Sequence, residues 1–207
     1  MFSSYCFLLY LRDIFSHCSG KNAKPNWNFV MAVQEVIKMG HPLLLSRAEE
    51  VENFGTPELA KLINDMQDTM AALNGAGLAA PQIAVPLRIV IFGISDNPRY
   101  PDADSVPETI LINPEISIIG TERESEWEGC LSVPHMRGLV PRYTSIRYRG
   151  CDMQGNVIER EAHGFHARVV QHEVDHLDGV LYPQRIENMK DFGFEDALFE
   201  SVEDDEL

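Results

Sequence analysis

Between Thr56 and Asn74, apolar residues recur three and four positions apart, at Leu59, Leu62, Ile63, Met66, Met70 and Leu73. That period puts them on one face of a helix. Thr56 offers an N-cap oxygen, Pro57 a fixed φ for the first helical position, Glu58 an acidic first turn and Asn74-Gly75 a stop. The pattern predicts a helix over 57–73, with its methionines as core filler. Residues 88–94 form a β-branched and aromatic run that reads as a buried strand. A polar loop is expected at 96–107, then strands at 109–113 and 116–119 separated by Asn113-Pro114. Residues 144–149 alternate as a half-exposed strand does, and 152–156 read as the turn into another at 157–160. A further helix follows Gly164 and stops at Asp178-Gly179, and a last one runs from about Glu187 into an acidic end. The mixture predicts an α+β domain of small, mainly antiparallel sheets packed around a central helix.

Composition narrows the class of partner. With 44% apolar and 24% charged residues, the 207-residue chain is ordinary for one globular domain. Its 17 basic and 32 acidic residues leave a formal net charge of −15, which repels a nucleic-acid duplex or an anionic membrane, so neither is expected as a ligand. Cys6, Cys18, Cys130 and Cys151 show no C-x-x-C spacing, and a reducing cytoplasm is the expected compartment. No apolar run approaches the ~20 residues needed to span a bilayer. Residues 1–30 differ from the rest in being nearly free of acid. They are read as an extension upstream of a start at Met31, against the competing readings of an organellar presequence or a native tail. Residues 31–190 then form the domain, and 191–207 an acidic helix or tail.

The chemistry sits on the helix after Gly164. His172 and His176 are four residues apart and share a face, and Glu173 flanks it. Phe165 and Val169 lie on that face, and Val170, Val174 and Leu177 continue the apolar arc, while Arg168, Gln171, Asp175 and Asp178 make a narrow polar side. Imidazoles within an apolar arc are either satisfied core histidines or metal ligands. In the second case Glu173 takes a proton from water at the metal. Cys130, in Trp127-Glu128-Gly129-Cys130-Leu131-Ser132, is the best candidate for a third ligand, and one Cys with two His leaves an open coordination position. Zinc, cobalt, nickel and ferrous iron all suit that donor set.

Three blocks in order, Gly75-Ala76-Gly77-Leu78-Ala79-Ala80-Pro81-Gln82, Glu128-Gly129-Cys130-Leu131-Ser132 and Gln171-His172-Glu173-Val174-Asp175-His176, resemble the signature motifs of the peptide deformylases. The similarity runs from Met31 to about Ile186. It implies removal of the formyl group from the N-terminal formylmethionine of nascent polypeptides, which are thereby the expected partners, together with a transient encounter with the ribosome. It also implies a divalent metal, typically Fe2+, held by Cys130, His172 and His176. In the same reading Glu173 is the proton-transfer group, and the Gln82 amide and Leu131 N–H stabilise the oxyanion.

The resemblance further implies that Arg137 reaches a substrate carbonyl, that Glu128 pairs with Arg142, and that Val169 walls a methionine pocket. Gly75 and Gly77 would let an extended substrate approach closely, although Gly75 also reads as a plain helix stop. Outside the family, Arg137 and Arg142 read as solvated charges. His163 and His166 acquire no role, and Trp127 reads as a packing residue. Val174 and Ala76 depart from the commonest family residues, and Ala76 widens the adjacent pocket. The non-enzyme alternative is a catalytically inactive deformylase-like binding module. The presence of both Glu173 and Gln82 argues against it, because binding alone needs neither.

Overall fold

The computed structural model describes residues 33–94 and 105–199. Residues 1–30, the expected extension, and residues 200–207 of the acidic end lie outside the described residues. Helix α1 (Pro57–Ala72) begins as its sequence predicts: Thr56 Oγ1 accepts from the Leu59 N–H at 3.2 Å, and Pro57 follows. It ends where Asn74 turns left-handed at φ 52° and the Gly75 N–H reaches back to the Met70 carbonyl.

Two antiparallel sheets follow. The larger has the order β1 (Gly77–Ala79), β2 (Ile89–Ile94), β3 (Val106–Ile118), β6 (Ser145–Cys151), β7 (Val157–His163), and the smaller joins β4 (Arg123–Cys130), β5 (Val133–Tyr143) and β8 (Phe192–Phe194). Alternation along β2 explains its unbroken apolar run. Ile89 and Ile91 face a core shared with Leu59, Ile63 and Met66 of α1, while Val90 and Phe92 face one shared with Ala167, Val170, Val174 and Leu177 of α2 (Gly164–Leu177). A strand covered on both faces has no polar side to show. Helix α2 thus lies against the large sheet and also contacts β5 of the small one.

The structure changes three details of the sequence expectation. The strands expected at 109–113 and 116–119 are one strand, β3, and it begins at Val106, inside the expected loop. Asn113 does not break it. At φ 52° it makes a bulge, the register shifts between Ile112 and Glu115, and its amide bonds both the N–H and the carbonyl of Val51. The proline is tolerated beside that bulge, where ladder pairing is already interrupted. The helix expected from Glu187 is instead a 3-10 turn (Met189–Asp191), then β8, then the single turn α3 (Glu195–Leu198). Pairing of Phe192 and Phe194 with Gly138 and Met136 on the edge of β5 overrides the local helical preference.

Candidate active site and metal centre

Three elements converge on one cleft. Its walls include Gly75, Ala76 and Gly77 before and within β1, Trp127 to Leu131 at the end of β4, and Phe165, Arg168, Val169, His172 and Glu173 on α2, with Gln82 between the first two groups. Nearly all the residues singled out in the sequence therefore meet here.

The i, i+4 spacing on α2 sets the His172 and His176 rings 5.1 Å apart, centroid to centroid. The pairing of β4 with β5 slips between Glu128 and Cys130, and Cys130 Sγ lies 3.2 Å from His176 Nε2. One ligand atom from each of Cys130, His172 and His176 falls within 4.8 Å of the other two. Glu128 fixes one tautomer: His172 Nδ1 lies 2.8 Å from its Oε2, which leaves Nε2 to face the thiol. Tyr182 stacks on the same ring with centroids 6.1 Å apart.

The electrostatics favour a cation at this point. Burial pushes the Cys130 thiol up, but the charge of His176 and the bonds from both imidazoles outweigh it and hold the thiol well below its usual value. Burial likewise opposes a proton on His172, yet its bonds to Cys130 and Glu128 raise it well above an ordinary imidazole. A thiolate thus gathers positive charge between two rings, where a divalent ion fits as well as protons do. Glu173 Oε2 is buried without a hydrogen-bond partner among the described residues, and a site built only for packing would not leave it so. The donor set fits a metal with an open position.

Glu173 lies against Gly77, and burial pushes its carboxyl up to about 7, offset in part by the charges of His172 and His176. Gln82 is held at both ends of its amide: Oε1 accepts from the Ala79 N–H at 2.9 Å, and Nε2 donates to Ser132 Oγ at 3.2 Å and, more weakly, to Cys130 Sγ at 3.4 Å. Leu131 lines the cleft, its side chain against Gly75.

Arg137 does not line the cleft. It pairs with Glu195 at 2.7 Å and packs on Gly129, which does line it. Arg142 is far from a solvated charge, being buried and donating to both Glu128 oxygens at 2.9 and 3.0 Å and to Asp175. Most of the polar side of α2 is likewise internal. Arg168, Gln171 and Asp175 are buried under the β4–β5 hairpin, where Glu128 pairs with Arg168, Arg142 with Asp175 and the Tyr143 backbone with Gln171. Asp178 stays exposed and pairs with Arg88. Sequence reasoning missed Arg168 as part of the cleft, although it stands four residues before His172 and so shares its face. It gave no role to Ser132, although the second motif contains it, nor to Tyr182, which no local signal marked. Trp127 both lines the cleft and packs edge-on against Phe199. His163 bonds Ser145 and His166 contacts Tyr148, outside the cleft.

Comparison with known proteins agrees with this geometry. The family described as polypeptide deformylase matches residues 33–192. Peptide deformylase 1 of Nitrosomonas europaea is 60% identical over 84% of this chain and 99% of its own length, and peptide deformylase 1 of Bordetella pertussis is 58% identical over 83% and 97%. Among solved structures, the Met-Ala-Ser-bound class I type b peptide deformylase of Acinetobacter baumannii superposes with a TM-score of 0.73 at 40% identity, covering 75% of this chain and 99% of that one. The Thermotoga maritima peptide deformylase gives 0.68 at 35%, covering 75% and 99%. With the Cys-His-His cluster, the cleft and the match along nearly the whole described chain in agreement, the chain belongs to the polypeptide deformylase family.

Proposed function

We infer that this cleft hydrolyses the formyl amide at the N-terminus of formylmethionyl peptides, releasing formate and a free amine. The observation that carries the reading is Glu173: a buried carboxyl with its pKa near neutrality, one oxygen unpartnered, beside the Cys130, His172 and His176 cluster. A binding module has no use for such a group, and nothing favours the inactive alternative.

Cys130, His172 and His176 would hold a divalent metal, which when bound would supply Lewis acidity to water in the cleft. Glu173 Oε2 accepts the proton of the attacking water and returns it to the departing nitrogen. As negative charge develops on the formyl oxygen, Gln82 Nε2 exchanges its weak bond to Cys130 Sγ for one to that oxygen, with Ala79 and Ser132 keeping the amide in place. The Leu131 N–H is the second donor. Val169 and Phe165 supply the apolar wall for the methionine side chain. Gly75 and Gly77 let the peptide backbone lie close, and Arg137, on exchanging its bond to Glu195, would take a carbonyl further along it.

Ferrous iron is the resident metal in this reading, and zinc, nickel or cobalt would occupy the same donors. The enzyme acts in the cytoplasm and meets the ribosome transiently. No helix among the described residues is long and apolar enough to cross a membrane. Residues 31–190 form the catalytic domain, to which β8 adds a strand, with 1–30 an extension. The test is anaerobic incubation with a formyl-Met tripeptide, measuring formate and bound metal in the same sample. Formate with one metal per chain supports the enzyme, and metal without formate overturns it in favour of the binding module.

A further inference from the structure

Arg168 takes no part in the hydrolysis as derived, yet its guanidinium is one of the most heavily bonded groups beside the cleft. Nη1 donates to Glu128 Oε1 and to the Val140 carbonyl, both at 2.8 Å, Nη2 donates to the Glu124 carbonyl at 2.7 Å, and Nε lies 3.1 Å from Glu126 Oε2. The fork therefore ties the backbone of β4 and β5 to the same carboxylate that holds His172. Glu128 Oε1 takes Arg168 and Arg142, and Oε2 takes Arg142 and His172 Nδ1. Without Arg168, Oε1 keeps a single bond, and the carboxylate gains freedom to swing and carry the imidazole with it. Burying a guanidinium costs more than burying an apolar side chain of similar length, so its place in this helix points to orientation rather than to packing.

We propose that Arg168 is a positioning residue of the metal centre, which fixes the plane of the His172 ring through Glu128 and so slows loss of the metal. The proposal rests on Cys130, His172 and His176 being the ligands. Arg168 also lines the cleft, so a change in turnover alone does not separate this role from direct contact with substrate. The decisive measurements are made without substrate.

Wild-type protein and the R168M, R168K and E126Q variants are loaded anaerobically with cobalt(II), whose visible bands depend on ligand geometry. Band intensity and the rate of cobalt release to excess chelator are recorded, with circular dichroism to establish folding. R168M is expected to release cobalt about tenfold or more faster, with altered bands, as loss of a group behind a ligating histidine does elsewhere. R168K falls between, because lysine keeps a bond to Glu128 but not the fork. E126Q stays within about twofold of wild type, because that carboxylate is half exposed. A folded R168M with wild-type release and bands overturns the proposal, as does an E126Q effect equal to that of R168M. If R168M does not fold, wild-type release by R168K overturns it. A wild-type chain that takes up no cobalt overturns the ligand assignment itself.

Discussion

A Cβ built on Gly77 would lie 2.7 Å from Cδ of Glu173, so the absence of a side chain in β1 is what gives the carboxylate of α2 its position. Gly77→Ala is expected to displace Glu173 while leaving Cys130, His172 and His176 untouched. Deformylation should fall about a hundredfold with metal content unchanged, since misplacing a reacting group by ~1 Å costs that much. Steady-state rates with metal analysis of the same sample check it, and a wild-type rate would show that Glu173 has room to yield.

Glu173→Gln keeps the shape of the carboxyl and removes its basicity. Metal content should remain near one per chain while kcat drops a hundred- to ten-thousandfold. Near-normal turnover would remove Glu173 from the proton transfer.

Gln82→Leu removes one hydrogen-bond donor to the formyl oxygen and leaves Ser132 without the amide it now bonds. The expected loss is about 3 kcal/mol of transition-state stabilisation, or a hundred- to thousandfold in kcat, with a smaller change in KM. A loss confined to KM would make Gln82 a binding group only.

The Cys130 thiolate and ferrous iron are both open to oxidation, and nickel is not oxidised in air under the same conditions. An iron-loaded sample should lose activity aerobically while a nickel-loaded sample persists. Equal half-lives would argue against iron as the resident metal.

His166 gives the fold a pH dependence away from the cleft. Burial beneath Phe92 and Tyr148, followed by the charges of Arg160 and His163, lowers its pKa from the ordinary imidazole value. The unfolded chain therefore takes up this proton at a higher pH than the folded chain does. The resulting stability is fully present above the ordinary value, ~6.5. It is lost as pH falls from there through the lowered folded value. Urea midpoints should drop over that interval, and His166→Phe should flatten the slope. An unchanged slope would mean that other groups set it.

Much of the site was legible because its determinants are local. Helix α1 begins and ends on its own capping residues. The spacing of His172 and His176 puts two ligands on one face whatever surrounds them, and the three motifs marked Cys130, Gln82 and Glu173 by their resemblance to a family. The antiparallel α+β class followed from alternation in the same way, since period-two and period-3.6 patterns are properties of a segment.

What the tertiary structure decided lies where a residue's state depends on a distant segment. Arg142 reads as a solvated charge, yet it is buried between Glu128 and Asp175, and the hairpin that carries it also covers Arg168 and Gln171 of α2. The residues 192–194 read as helix, but the free edge of β5 offers hydrogen bonds that make them a strand. Asn113 reads as a break, but Val51, 62 residues away, satisfies its amide and keeps β3 whole. Burial, charge pairing and edge pairing are set by what lies across space. The sequence therefore determined which residues could perform the chemistry, and the fold decided which neighbours hold them to it.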